Sequence, residues 1–445
     1  MKQVELLSPA GTLKNMRYAF AYGADAVYAG QPRYSLRVRN NDFLEDNLAK
    51  GINEAHSLGK KFFLATNVIP HNTKVKTFIA DLDPIIAMKP DALIMADPGL
   101  IMMTREKWPE MPIHLSVQAN TVNFAAVKFW QSMGVERIIL SRELSLDEIE
   151  EIRQQCPDIE LEVFVHGALC IAYSGRCLLS GYFNHRDPNQ GTCTNSCRWK
   201  YDTVPAHENA EGDYVLDNPA ISMNDISNAS CGGAERHPLA DKTYFLEEEG
   251  RKGELLPIME DENGTYIMNS KDLRAIEHVQ RLVDIGIDCL KIEGRTKSHY
   301  YVARTAQTYR QAIDDALAGR DFQPNLIGVL ENLANRGYTD GFYQRHHTHE
   351  HQNYITGYSK SHKQQFCGEI KSYNEETGIA EINVKNKFAV GDKLELILPD
   401  GNQDIIVESM TDLYNHEMQE AAGGGYEVKI PLPKGCNQGL LSRYI

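Results

Sequence analysis

The sequence predicts an α/β protein: a (β/α)8 TIM-like barrel with a large insertion before its last strand, followed by a small all-β barrel domain. Three observations lead there. Eight short apolar runs rich in β-branched residues alternate with helix-length stretches up to Arg295. One connection, between the seventh and eighth runs, spans roughly 120 residues, where a handful is usual. From Phe366 onward the texture changes to short alternating strands separated by Gly, Asp and Pro.

The strands are predicted at 4–9 (VELLSP), 25–30 (DAVYAG), 61–67 (KFFLATN), 92–97 (ALIMAD), 113–119 (IHLSVQA), 137–143 (RIILSRE), 160–167 (ELEVFVHG) and 289–295 (CLKIEGR). Helices between them carry start signals. Thr12 is placed as an N-cap, with Leu13, Met16 and Phe20 on one face. Ser145 precedes Glu148 at capping-box spacing. Ser298 opens a long helical stretch after the eighth run. Eight strand–helix repeats suit a closed barrel. A doubly wound open sheet is the competing arrangement, and periodicity alone does not separate the two. The predicted division is a catalytic barrel over 1–330, a connector over 331–364 and the β domain over 365–445. The barrel contains a cysteine segment (166–200) and an acidic insertion (201–262).

Composition narrows the setting. The chain has 445 residues, 42% hydrophobic and 24% charged, an ordinary globular balance. It contains no apolar run of about 18 residues, so no membrane partner is expected. The start, MKQVELLSPAG, lacks the apolar core of a secretory signal, which points to the cytoplasm. Net charge is −15, which by itself disfavours nucleic acid. The charge is concentrated, however: residues 201–262 hold 15 acidic and 4 basic side chains. The remainder is therefore near −4, leaving room for a basic face. The tract from Ser222 to Lys242, rich in Ser, Asn, Gly and Asp, has no period, and part of the insertion is expected to be mobile.

The nine cysteines are unevenly placed. Four fall within HGALCIAYSGRCLLSGYFNHRDPNQGTCTNSCRWKY: Cys170, Cys177, Cys193 and Cys197, spaced Cys-x6-Cys-x15-Cys-x3-Cys. In a reducing compartment, gathered thiolates usually serve a soft metal. An iron–sulfur cluster fits this spacing. Structural zinc prefers tighter knuckles, and buried or redox thiols are the third reading. Cys156, Cys289, Cys367 and Cys436 read as packed small hydrophobes. Cys231, within the insertion, is a candidate substitute ligand. The seventh strand ends at Gly167, so the cysteine segment starts on the C-terminal face of the barrel, where barrel enzymes place their sites.

Other polar residues converge on that face. Alternation puts Lys291, Glu293 and Arg295 on one side of the eighth strand, and Glu162, Phe164 and His166 on one side of the seventh. Charges inside a barrel pair with one another or serve chemistry, and the sequence leaves both open. Asn67, Asp97, Gln118 and Arg142 end strands three to six and would line a polar pocket for an anionic, hydroxylated ligand. Arg33, Arg37 and Arg39 beside Tyr34, and Arg198 with Trp199, combine cations with aromatics and so suit phosphates and unpaired bases; as ordinary solvated loops they need no ligand. RHHTHEH, ending at His351, reads as a solvated loop. Neither HExxH nor GxSxG occurs.

The segments ELLSPAG, GADAVYAG, SVQAN, EVFVHGALC, SGRCLLSGYFNHRDPNQGTCTNSCRW and LKIEGRTKS resemble the collagenase-like peptidases, a peptidase family of unknown catalytic type. The likeness runs from Val4 through the β domain and is nearest to a tRNA-hydroxylating branch. It implies 5-hydroxylation of the wobble uridine of tRNA, dependent on prephenate and independent of molecular oxygen. It also implies a four-iron cluster (4Fe-4S) on Cys170, Cys177, Cys193 and Cys197; some relatives recruit a later cysteine, which keeps Cys231 open. On that reading Arg142, Lys291 and Arg295 hold prephenate's carboxylates, and His166, Glu162 or Glu293 move protons. The β domain grips the anticodon arm, and an electron-donor protein is a further partner. The rivals are a peptidase, as the family name says, and a non-catalytic iron–sulfur protein that binds RNA.

Overall fold

The computed structural model describes residues 3–36, 41–169, 271–335, 337–344 and 364–445, and the backbone of four strands within 201–258. Seven parallel strands come first: β1 (Glu5–Pro9), β2 (Ala26–Gly30), β3 (Lys61–Ala65), β4 (Ala92–Met95), β5 (Ile113–Leu115), β6 (Arg137–Ile139) and β7 (Glu160–Ala168). The insertion carries β8 (Tyr201–Glu208), β9 (Tyr214–Leu216), β10 (Thr243–Glu248) and β11 (Leu255–Ile258). Then follow β12 (Asp272–Arg274) and β13 (Cys289–Ile292). β13 pairs in parallel with β1, Glu5 opposite Cys289, and with β7, Glu162 opposite Cys289. Strands β1–β7 and β13 therefore close on themselves, which excludes the open sheet.

The strands are buried almost throughout because helices cover their outer faces. The predicted caps are made: Thr12 accepts from Asn15 N, Ser298 accepts from Tyr301 N, and Ser145 with Glu148 forms the full capping box. Five strands, β3, β4, β5, β6 and β13, stop two to four residues short of their predicted ends. Ser116 caps a 3-10 turn over Val117–Ala119, so β5 ends at Leu115, and β6 ends at Ile139.

The acidic insertion holds an antiparallel sheet in the order β11-β10-β8-β9, which the polar sequence had hidden. Strand β12 adds antiparallel to the end of β7, Arg274 opposite His166.

The C-terminal domain is a seven-stranded antiparallel sheet beginning at Gln364–Asn374, joined by a two-stranded one (Asn386–Ala389 with Glu420–Gly423). It has its own apolar core, which includes Ile382, Phe388, Leu396 and Val428. It docks on the barrel through groups from both sides. Tyr22 Oη donates to Ile397 O at 2.8 Å, Tyr300 stacks on Phe366 at 4.5 Å, and Arg304, 1% exposed, pairs with Glu395 at 3.0 Å. No helix among the described residues is long and apolar enough to cross a membrane.

Candidate active site

A cavity of about 110 Å³ opens at the C-terminal mouth of the barrel. Asn67 reaches it from the segment after β3, Ser116 and Gln118 from the 3-10 turn after β5, Arg142 from the segment after β6, Phe164 from β7, and Lys291, Glu293 and Arg295 from β13 and its extension. Tyr28 on β2 is a further wall. The floor, with Ala65, Ile94, Val117 and Ile139, is apolar.

The walls differ in character. On the β3–β5 side the groups are neutral. Asn67 accepts from Leu36 N and donates to Ser116 Oγ, both at 3.2 Å. Gln118 is 4% exposed, and among the described residues neither its Oε1 nor its Nε2 makes a hydrogen bond. An amide left so costs about 1–3 kcal/mol, and Gln118 lines the cavity.

On the β6–β13 side the groups are charged. Arg142 Nη2 lies 2.5 Å from Glu293 Oε2, Nη1 donates to Ala168 O at 2.7 Å, and the guanidinium sits 3.9 Å above the Phe164 ring. Arg295 donates to Ser35 Oγ at 2.6 Å and to Leu36 O, tying β13 to the loop after β2. Gly167, with φ +111°, lets β7 pass close to β13: a Cβ there would stand 2.5 Å from Glu293 O.

Beneath the cavity runs a ladder of ions. Lys61 meets Glu5 at 2.8 Å, Glu5 meets Arg137 at 2.6 Å, Arg137 meets Glu162 at 3.3 Å, and Glu162 meets Lys291 at 2.7 Å. Burial alone would raise the Glu5 carboxyl, yet Arg137 and Lys61 hold it below its usual range. Burial pushes the Lys291 ammonium down, against the pull of Glu162. The aromatic faces of Tyr28 at 4.4 Å and Phe164 at 5.3 Å flank the Lys291 amine. Glu5 and Arg137 were missed in the sequence. Their signal was a charge at an inward position of an otherwise apolar strand.

Three expectations need correction. His166 does not share the face of Glu162 and Phe164. Lys291 pairs with Phe164 but Ile292 with His166, so one extra residue on β7 makes a bulge and reverses the alternation. His166 is 1% exposed and packs among the rings of Tyr301, Tyr309 and Tyr338, away from the cavity lining. Glu162 is fully buried below the cavity as the partner of Lys291 and Arg137, so it touches no ligand space. Asp97 is the N-cap of helix Pro98–Lys107, accepting from Leu100 N at 2.9 Å, and is absent from the lining.

Arg33 pairs with Asp81 at 2.8 Å on the surface. Arg37, Arg39, Arg198, Trp199, Cys170, Cys177, Cys193, Cys197, Cys231 and the histidine run ending at His351 lie outside the described residues. Within them, Cys156, Cys289, Cys367 and Cys436 are buried and unbridged, as packed hydrophobes are.

Comparison with known proteins supplies the lineage. Residues 11–353 match the model of peptidase family U32, and residues 362–443 match the peptidase family U32 C-terminal domain. The chain is 60% identical over 445 residues to "tRNA hydroxylation protein P" of Escherichia coli (strain K12), covering 100% of this chain and 97% of that one. It is 58% identical over 433 residues to the protein of the same name from Haemophilus influenzae, covering 97% and 94%. It is also 26% identical over 449 residues to a "Collagenase" of Porphyromonas gingivalis, covering 96% and 94%. The chain belongs to peptidase family U32.

Proposed function

We propose that this chain is a tRNA hydroxylase that adds the 5-hydroxyl of the wobble uridine, using prephenate and an iron–sulfur cluster and no molecular oxygen. The observation that carries the hydroxylation is the full-length 60% identity to a relative named for it. The cavity is compatible with that chemistry. A uridine splayed out of its loop would enter the barrel mouth as a single base. Gln118 offers a donor and an acceptor side by side, which complements an imide edge, and Asn67 and Ser116 extend that neutral wall. Arg142, Lys291 and Arg295 give the opposite wall its excess of cations, suited to a dicarboxylate. Glu293, held against Arg142, is the carboxylate at the cavity surface and the group placed to accept a proton.

Cys170, Cys177, Cys193 and Cys197 are the proposed cluster ligands. One feature of the described chain suits a site there: β7 ends at the cavity rim, with Ala168 O held by Arg142, two residues before Cys170. A cluster so held would supply one-electron chemistry beside the base.

The peptidase reading has less support among the described residues. Burial pushes the thiols of Cys156, Cys289, Cys367 and Cys436 up, so none is poised as a thiolate nucleophile.

Nucleoside mass spectrometry of tRNA, from a strain lacking this gene and from the same strain with it restored, tests the proposal. Hydroxylated wobble uridines should vanish and return, and Cys177→Ser should fail to restore them. An unchanged nucleoside profile in the deletion strain overturns the reading. Iron and sulfide assays on anaerobically prepared protein test the cluster separately.

A further inference from the structure

Lys291 belongs both to the buried ion ladder and to the cavity above it. It meets Glu162 at 2.7 Å, and Arg137, shared with Glu5 and Glu160, approaches the same carboxylate from below at 3.3 Å. Lys291 also lines the cavity, and Lys61 and Arg137 of the same ladder do not. Its surroundings are those of a reactive lysine: low exposure, a carboxylate in hydrogen-bond contact, and aromatic faces at 4.4 and 5.3 Å.

The neighbouring charges say what reaches it. Among the described lining residues Arg142, Lys291 and Arg295 outnumber the one carboxylate, Glu293. Arg295 lies near enough to act electrostatically on the Lys291 amine. A ligand that satisfies this surplus is an anion, with its charge a bond or two from the atom facing the amine.

We propose that Lys291 is a nucleophile whose amine condenses with the carbonyl carbon of a small 2-oxo acid, giving an imine on the charged wall of the cavity. This rests on the reading of the cavity as the reaction site. The neutral amine nitrogen attacks the carbonyl carbon, and the nitrogen–carbon bond forms as the carbonyl π bond breaks. Glu162 takes one proton from the Lys291 ammonium beforehand and returns it to the imine nitrogen at the end, while Glu293, the carboxylate at the cavity surface, carries the two protons that the attacking amine sheds to the former carbonyl oxygen, one to make the carbinolamine hydroxyl and one to release it. That hydroxyl leaves as water, and the C=N bond closes with no change in oxidation state. The protonated imine is again a cation, so Tyr28, Phe164 and Glu162 stabilise it as they do the ammonium. Burial, which lowers the Lys291 pKa, supplies the neutral amine that the first step needs.

The test is borohydride trapping of the full-length, anaerobically prepared protein with pyruvate, phenylpyruvate or prephenate, without tRNA. Reduction should fix on the protein the mass of the ligand less one oxygen atom. Peptide mapping should place it on Lys291 at roughly tenfold or more above exposed lysines such as Lys371. Lys291→Arg keeps the charge and should lose the adduct, with its melting temperature reporting that it folds. Wild-type protein that hydroxylates tRNA yet gives no Lys291 adduct with any of the three acids sinks the imine and leaves the hydroxylase reading intact. A Lys291 adduct in a protein that never alters tRNA does the reverse.

Discussion

Arg142 and Glu293 meet at 2.5 Å across the end of β7, although one side chain leaves β6 and the other the extension of β13. The same guanidinium holds Ala168 O at 2.7 Å and covers the Phe164 ring at 3.9 Å. One side chain thus fixes three strand ends at the cavity mouth and orients the carboxylate proposed to accept a proton. It also anchors the backbone from which the cysteine segment departs.

Arg142→Lys should therefore fail to substitute. A lysine keeps the charge but has no planar fork to serve a carboxylate and a carbonyl together, nor a flat face to lie on Phe164. Both partners are largely buried, so the change should cost about 2–3 kcal/mol in urea unfolding and abolish most wobble hydroxylation in the restored strain. A variant as stable and active as wild type would show that the bridge is incidental.

Gln118→Leu separates function from stability in the opposite sense. The amide makes no hydrogen bond to any described residue, so replacing it by an apolar group of similar size strands none of them. Stability should stay level or rise by about 1 kcal/mol, while hydroxylated uridine falls. A drop in melting temperature would mean that the amide has a structural partner and would remove Gln118 from the neutral wall.

Much of this architecture was legible because barrel strands leave a strong trace: a short apolar run, a cap such as Ser145, a helix, and again. Closure itself was not legible, since it depends on β13 meeting β1 and β7 across more than a hundred residues. Alternation placed Lys291, Glu293 and Arg295 at the cavity correctly, although β13 ends at Ile292 and only Lys291 lies within the strand. It misplaced His166 because a single bulged residue on β7 leaves no compositional mark. The sheet within the insertion was missed for a different reason. Strands such as Tyr201–Glu208 are polar and lack the alternation that a half-buried strand shows.

The contact between the two domains makes its own prediction. Arg304 is buried against Glu395, which also accepts from Gln364 Nε2 at 2.8 Å. Arg304→Met should strand that carboxylate and cost about 3 kcal/mol or more. The joint near Gln364 should become more open to limited proteolysis. Arg304→Met combined with Glu395→Leu should recover part of the loss, because neither charge is then left alone. A double variant no better than the single one would show that packing, more than charge, holds the domains together.

His166 gives the last prediction, a pH dependence whose sign follows from its burial. Burial, with Lys297 and Arg274 nearby, pushes its imidazole down to about 3 from an ordinary value of 6.5. Above 6.5 the ring is neutral in both folded and unfolded chains and contributes no slope. Between there and about 3 the unfolded chain takes up a proton that the folded one refuses, so stability falls as pH drops, by at most about 1.4 kcal/mol per pH unit. Other groups titrate in that range, so the quantity to read is a difference. His166→Gln, neutral throughout, should unfold in urea with a flatter loss of stability than wild type from about pH 6.5 downward. Parallel curves for the two proteins would mean that the ring titrates alike in both states, contrary to its place among Tyr301, Tyr309 and Tyr338. Hydroxylation by the same variant, assayed at neutral pH, should persist in proportion to the folded fraction, because the bulge in β7 turns this histidine away from the cavity.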